Sequence, residues 1–250
     1  MRFLFSATFL FYLCLQSAFA QDGLVFSVTG NVSRVNLVEL YTSEGCSSCP
    51  PAEAWLSNLK NHEGLWRDVV PVAFHVDYWD NLGWKDRYAS PVFTHRQRLY
   101  RDAWKGRYIY TPALAVNGQP WQDWRLSTAV LPLETNNVGT IELNFEDNTL
   151  NMNWNPIEPF AKAYDAYVTV IGFGIESNVK AGENSGRTLT HDFVVLQYAQ
   201  RRVKQRKGQY YDRMPLDLEL SKGLGERAIV VWITQNREVY PLQAVGVKIP

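Results

Sequence analysis

Residues 39–59 read ELYTSEGCSSCPPAEAWLSNL, and their reading decides the fold. Upstream, "SRVNLVELYTS" is rich in β-branched and apolar residues and predicts a buried strand. Downstream, "AEAWLSNLKNH" sets Ala54, Trp55, Leu56 and Leu59 at helical spacing. Between strand and helix stand Cys46 and Cys49, two residues apart, followed at once by Pro50 and Pro51. Such a pair can exchange electrons, grip a metal or staple a loop, and the spacing alone leaves all three readings open.

Working outward, residues 1–20 carry one Arg, an apolar run and then Ala18-Phe19-Ala20, the small-x-small pattern of a secretory signal. Cleavage near Gln21 predicts a soluble periplasmic or secreted protein with no membrane insertion. It also removes Cys14, one of three cysteines, so Cys46 and Cys49 are expected to have only each other. Acidic and basic side chains balance at 25 each, and no long single-sign block occurs. Electrostatics therefore makes no case for nucleic acid or an anionic membrane as partner; the run from Arg201 to Lys207 reads as a solvated face.

The 250-residue chain exceeds the ~100–150 residues of a typical single domain. Its texture changes near Pro132–Asn137, which predicts domains over residues 21–134 and 135–250. Before that point, "VVPVAFHVDYW" reads as a second buried strand, and Ser90-Pro91 supplies an N-cap and first-turn proline for a helix. "YTPALAVNGQPW" then reads as strand, Asn-Gly turn and strand, with a short helix from Asp123 through Val130. The order is β-α-β-α-β-β-α. After Asn137 the pattern is mostly β and sandwich-like, with one helix expected around residues 191–202.

A strand, a Cys-x-x-Cys before a helix, a second strand and helix, then Thr111-Pro112 leading into "ALAVNG" is similar to the thioredoxin-like fold. More narrowly, "ELYTSEGCSSCPPAEAWL", "HVDYWDNLGWKDRYASPVFTHRQ", "YTPALAVNGQ" and "GENSGRTLTHD" resemble a family of secreted bacterial thioredoxin-like proteins catalogued as a domain of unknown function. The resemblance implies an α/β thioredoxin-like N-terminal domain with a smaller, mostly β C-terminal domain, and a cis proline at Pro112 beside the cysteines. It also places Arg187 and His191 facing the Cys pair or shaping a separate pocket.

A cysteine at a helix N-terminus gains acidity from unpaired N–H groups and the helix dipole. Cys46, expected to be the more exposed, is thus the attacking sulfur and Cys49 the resolving one. The double proline counters this, because a helix that starts at Pro50 moves the dipole away from Cys46. His75 and Asp77, two apart on one strand, would point the same way, with His75 stabilising a thiolate and Asp77 holding the charge on His75 or capping the next loop. Tyr78, Trp79 and the further tryptophans up to Trp124 offer an apolar groove or simply core. The expected function is a thiol–disulfide oxidoreductase acting on a protein or small-molecule thiol or disulfide with an unidentified redox partner. Its catalytic residues are Cys46, Cys49, Thr111, Pro112 and His75, and its substrate-binding residues Asp77, Tyr78, Trp79, Arg187 and His191. No cofactor or resident metal is expected. Two alternatives stand beside it: Cu(I) held by Cys46, Cys49 and His75, and a non-catalytic binding module. A zinc site is disfavoured, since His62, His95 and His191 are scattered along the chain.

Overall fold

The computed structural model describes residues 24–249, apart from 127, 160, 162, 222 and 224. The expected signal segment, residues 1–20, lies outside them. The chain runs β1 (Phe26–Thr29), β2 (Asn36–Thr42), α1 (Pro50–Asn58), β3 (Val69–His75), α2 (Pro91–Ala103), β4 (Ala113–Val116) and β5 (Gln119–Pro120). It continues as β6 (Gly139–Glu146), β7 (Thr149–Pro156), β8 (Tyr164–Gly172), β9 (Ile175–Asn178), β10 (Thr188–His191), β11 (Val194–Arg202) and β12 (Lys204–Arg206). The last strands are β13 (Gln209–Pro215), β14 (Arg227–Gln235) and β15 (Pro241–Ile249).

β2 and β3 are buried at every position and pair in parallel, which is why both read as nearly unbroken apolar runs. β4 lies antiparallel on the other side of β2, with Ala113 opposite Tyr41, and turns through Asn117-Gly118 into β5. Helix α2 starts where the sequence places it: Pro91 opens the helix, and the Ser90 hydroxyl accepts from the Val92 N–H.

The expected fold class is corrected. Among the described residues there are two α-helices against fifteen strands, and strands from before and after residue 135 share one mixed sheet. Its order is β15-β14-β8-β11-β3-β2-β4-β5, so no α/β thioredoxin-like unit stands apart from a smaller β unit. The junction is the flank of β3, where Val194 pairs with Ala73 and the Ala73 N–H donates to Phe193 O at 2.8 Å. Left open, that flank would be a buried apolar strand with unpaired backbone groups, and β11 covers it. β11 also corrects the helix expected over residues 191–202: its antiparallel ladder with β8 supplies strand partners along its whole length. Past Asp123, the expected helix is a single 3-10 turn, Asp123–Arg125.

A second sheet, β1-β6-β7-β13-β12, packs on one face of the first. Alternation along β14 shows how the large sheet serves two cores: Ile229, Val231 and Ile233 join the core shared with Ile141, Leu143, Met152 and Trp154, whereas Ala228, Val230 and Trp232 face the core beside the helices. In that second core Arg96 of α2 forks onto the Glu39 carboxylate of β2, with Nε–Oε2 2.7 Å and N–Oε1 3.0 Å. The guanidinium also lies over the rings of Phe74, Tyr100, Tyr167 and Trp232. Tyr41 and Tyr100 donate to Glu39 as well, and burial holds both phenols well above their usual range. No helix among the described residues is long and apolar enough to cross a membrane.

Candidate active site

Cys46 and Cys49 are joined as a disulfide, with Cα atoms 5.4 Å apart. They sit in the turn that carries β2 into α1, at the sheet end where β4 begins. The cis peptide Thr111–Pro112 immediately precedes β4 and so lies at the same end. Cys49 is the residue that caps α1, and Pro50 and Pro51 are its first two positions. The helix thus starts at the double proline, which keeps its dipole away from Cys46. Both prolines lack an N–H, and the next two donors, on Ala52 and Glu53, are spent on Cys49 O, so the helix end presents no free cradle to Cys46. What the Cys46 sulfur does have is the Ser48 hydroxyl, 3.4 Å away.

Both cysteines are fully covered, although Ser47 and Ser48 between them are exposed. The expectation that Cys46 is the more accessible of the two is therefore not met. The loop before β10 is tied onto this turn. The Asn184 side-chain amide donates to Glu44 O at 2.9 Å and to Cys46 O at 3.0 Å, while Arg187 donates to the Asn184 side-chain oxygen at 2.7 Å. Glu183 accepts from the Ser47 N–H and hydroxyl, which holds its carboxyl below the usual range. Arg187 thus acts on the cysteine turn through Asn184.

Behind the turn is a buried histidine–carboxylate cluster. Asp86 Oδ2 lies 2.6 Å from His75 Nδ1 and also accepts the Glu44 N–H at 2.9 Å. His191 is set between two glutamates, with Nδ1 2.8 Å from Glu53 Oε2 and Nε2 3.4 Å from Glu44 Oε1. The His75 and His191 rings meet edge to face at 5.1 Å. Glu53 is further held by the Thr42 hydroxyl, and Glu44 by the Trp84 indole N–H at 2.6 Å. Burial alone would lower the His191 pKa, but the hydrogen bonds and charges of Glu44 and Glu53 push it up to about 10. Asp86 is likewise opposed by burial, and His75 holds it down at about 2. Glu53 lies one helical turn beyond Cys49, on the buried face of α1 with Ala52 and Leu56.

The expected site residues separate into three groups. His75, His191 and Arg187 converge on the region of the cysteines, and Trp79 joins them by donating from its indole to the Thr111 hydroxyl at 2.8 Å. Asp77 does not hold His75. β3 ends at His75, so the two-residue alternation stops there, and Asp77 turns away to receive the Thr94 hydroxyl of α2. Tyr78 is half-buried, and burial pushes its phenol up to about 12. Glu44, Glu53 and Asp86 escape sequence reasoning, whereas Glu183 and Asn184 stand in the GENSGRTLTHD stretch that carries the resemblance but receive no role there. Of the first three, Glu53 alone leaves a trace in the sequence, as an acid set between Ala52 and Leu56 on the face of α1 that packs inward.

The fold and this turn define a mixed-sheet protein with a disulfide set over a buried histidine–carboxylate cluster. The chain belongs to the DUF1223 family, described as a protein of unknown function, whose match spans residues 37–234. No curated protein matches it. Among solved structures it is similar to protein AGR_C_4864 from Agrobacterium tumefaciens, with 25% identity, a TM-score of 0.57, and 86% of this chain and 94% of that one covered. It is also similar to HBP35 of Porphyromonas gingivalis, with 11% identity, a TM-score of 0.58, and 88% and 76% covered. Both alignments run across the two halves of the chain, in keeping with one sheet built from both.

Proposed function

We propose that the protein is a thiol–disulfide oxidoreductase whose working couple is Cys46/Cys49, acting outside the cytosol. The observation that carries this reading is the disulfide itself, closed across two residues in a turn whose tip, Ser47-Ser48, is exposed. Oxidising compartments are where such bonds persist, in line with the signal-like segment at residues 1–20.

In the reduced protein, the Cys46 thiolate attacks a substrate disulfide, forming a mixed disulfide and releasing one substrate thiolate. Cys49 gives up its proton and attacks the Cys46 sulfur. The second substrate thiolate leaves, and two electrons have passed from protein to substrate. The Ser48 hydroxyl is placed to hydrogen-bond the Cys46 sulfur during this cycle, and Thr111 and Trp79 shape the neighbouring sheet edge. Because both cysteines are covered, contact with substrate requires the turn to part from Asn184 and Glu183. The substrate class is a disulfide, carried by an extended polypeptide or a small molecule, able to reach the turn.

Equilibration in graded glutathione buffers, followed by alkylation and mass spectrometry, tests the proposal. A couple that passes from disulfide to dithiol within the range spanned by known exchange proteins, about −120 to −270 mV, is the expected result. A pair that remains oxidised at every poise ends it.

A further inference from the structure

We propose that His75, His191 and Glu53 form a binding site for a borderline divalent transition-metal ion, Zn²⁺ first among them, separate from the two sulfurs. Each of the three residues offers a donor atom, these atoms lie within 4.8 Å of one another, and all three side chains are buried. Two imidazoles with one carboxylate is a donor set that zinc accepts while keeping a position open for water or substrate.

The orientation of the rings carries the inference further. Metal-bound histidines characteristically give their other ring nitrogen to a carboxylate, which fixes the tautomer and aims the ligand atom. His75 has such an outer carboxylate, Asp86 on Nδ1 at 2.6 Å, whereas Glu44 faces Nε2 of His191 at 3.4 Å, within ion-pair reach but without a hydrogen bond. The nitrogen left to His75 is Nε2. It has no hydrogen-bond partner, although the residue is only 1% exposed. A buried ring nitrogen without a partner is costly unless something occupies it. The nitrogen left to His191 is Nδ1, which lies 2.8 Å from Glu53 Oε2. An ion bound there would replace the proton shared by those two atoms, which leaves to solvent. The remaining oxygen of Glu53 is tied to Thr42, so the carboxylate is held in place.

Glu44, which faces the outer nitrogen of His191, lines a surface hollow of about 340 Å³ together with Trp84, Lys85, Arg87 and Glu176. The donors are nitrogen and oxygen only, so the site does not depend on the redox state of the cysteines, and its success or failure is independent of the exchange reaction proposed above.

The test is titration of Co²⁺, and in parallel Zn²⁺, into the full mature protein after dialysis against EDTA, with the disulfide intact. The expected result is one Co²⁺ per chain, d–d absorption of a four- or five-coordinate ion, and no strong sulfur-to-cobalt band in the near ultraviolet. His75→Ala and Glu53→Gln should each weaken binding at least tenfold, and Asp86→Asn by about 10- to 100-fold. The Cys46→Ser/Cys49→Ser double variant, which cannot exchange disulfides, should bind the ion as the parent does. Zn²⁺ should also raise the melting temperature of the parent. Absence of saturable binding to the folded parent overturns the proposal, as does binding lost with the cysteines and kept in His75→Ala. Where His75→Ala does not fold, Glu53→Gln and Asp86→Asn decide in the same way.

Discussion

Asn184 donates its side-chain amide to the backbone oxygen of Cys46 at 3.0 Å, joining residues 138 positions apart. The same amide reaches Glu44 O, so one side chain from the second half of the molecule holds both ends of the three-residue approach to the disulfide. Asn184 is itself fully buried and held by Arg187.

Asn184→Ala should therefore loosen the cysteine turn. Glu44 O loses its donor while Cys46 O keeps the Cys49 N–H at 3.2 Å, so one buried carbonyl is left unsatisfied, at a cost of about 1–3 kcal/mol. The expected outcome is a lower urea midpoint and a several-fold faster reduction of the disulfide by dithiothreitol. An unchanged reduction rate in a folded variant would show that this loop does not control access to the sulfurs.

Exchange through Cys46 makes a second expectation concrete. Cys49→Ser leaves an attacking sulfur without its resolving partner and should accumulate mixed disulfides with substrate in the producing cells, seen as reductant-sensitive adducts on non-reducing gels. Cys46→Ser should accumulate few or none. The opposite pattern would reverse the two roles.

The Arg96–Glu39 pair gives a stability prediction. Arg96→Met leaves a carboxylate buried among aromatic rings without its counter-ion and should cost about 3–5 kcal/mol. Replacing both partners, as Glu39→Leu with Arg96→Met, should recover most of that loss, since a well-packed apolar pair avoids desolvating two charges. Denaturant midpoints of the two variants and the parent, compared at fixed salt, decide this.

In the metal-free protein, stability should fall on both sides of a plateau. His191 has a folded pKa of about 10, above its ordinary 6.5, so its contribution is complete below about pH 6.5 and is lost as pH rises through 10. Asp86, at about 2 against an ordinary 3.8, contributes fully above 3.8, and its share disappears as pH falls toward 2. Denaturant midpoints taken across this range check both limbs, and His191→Gln should flatten the alkaline one while leaving the acid one in place.

The parts of this molecule legible in its sequence are those set by local rules. β2 and β3 announce themselves as apolar runs, Ser90-Pro91 opens α2, and Asn117-Gly118 turns β4 into β5. The pairing of β11 with β3 has no local signature. Val194–Arg202 is buried only at its start, where it meets β3, and polar beyond it, so its pattern matches neither a core strand nor an amphipathic helix. That junction separates a single sheet from two independent units, and hence the observed fold from the expected one. The cluster is hidden for a similar reason. His75 and His191 look scattered until β3 and β10 bring them together, and the carboxylate that orients His75 is Asp86 in a loop rather than Asp77 beside it. Alternation predicts neighbours only while a strand lasts, and β3 ends at His75, two residues short of Asp77.

The flank that β11 covers has a consequence for biogenesis. A polypeptide emerging from its amino end presents β2 and β3 long before Val194 arrives to finish the sheet. During that interval an apolar ribbon with free amides is the newborn molecule's most adhesive surface. Folding of this protein is then a race between closure of that margin and clumping of unfinished copies, and a holdase that shields extended segments would tip it toward the native form.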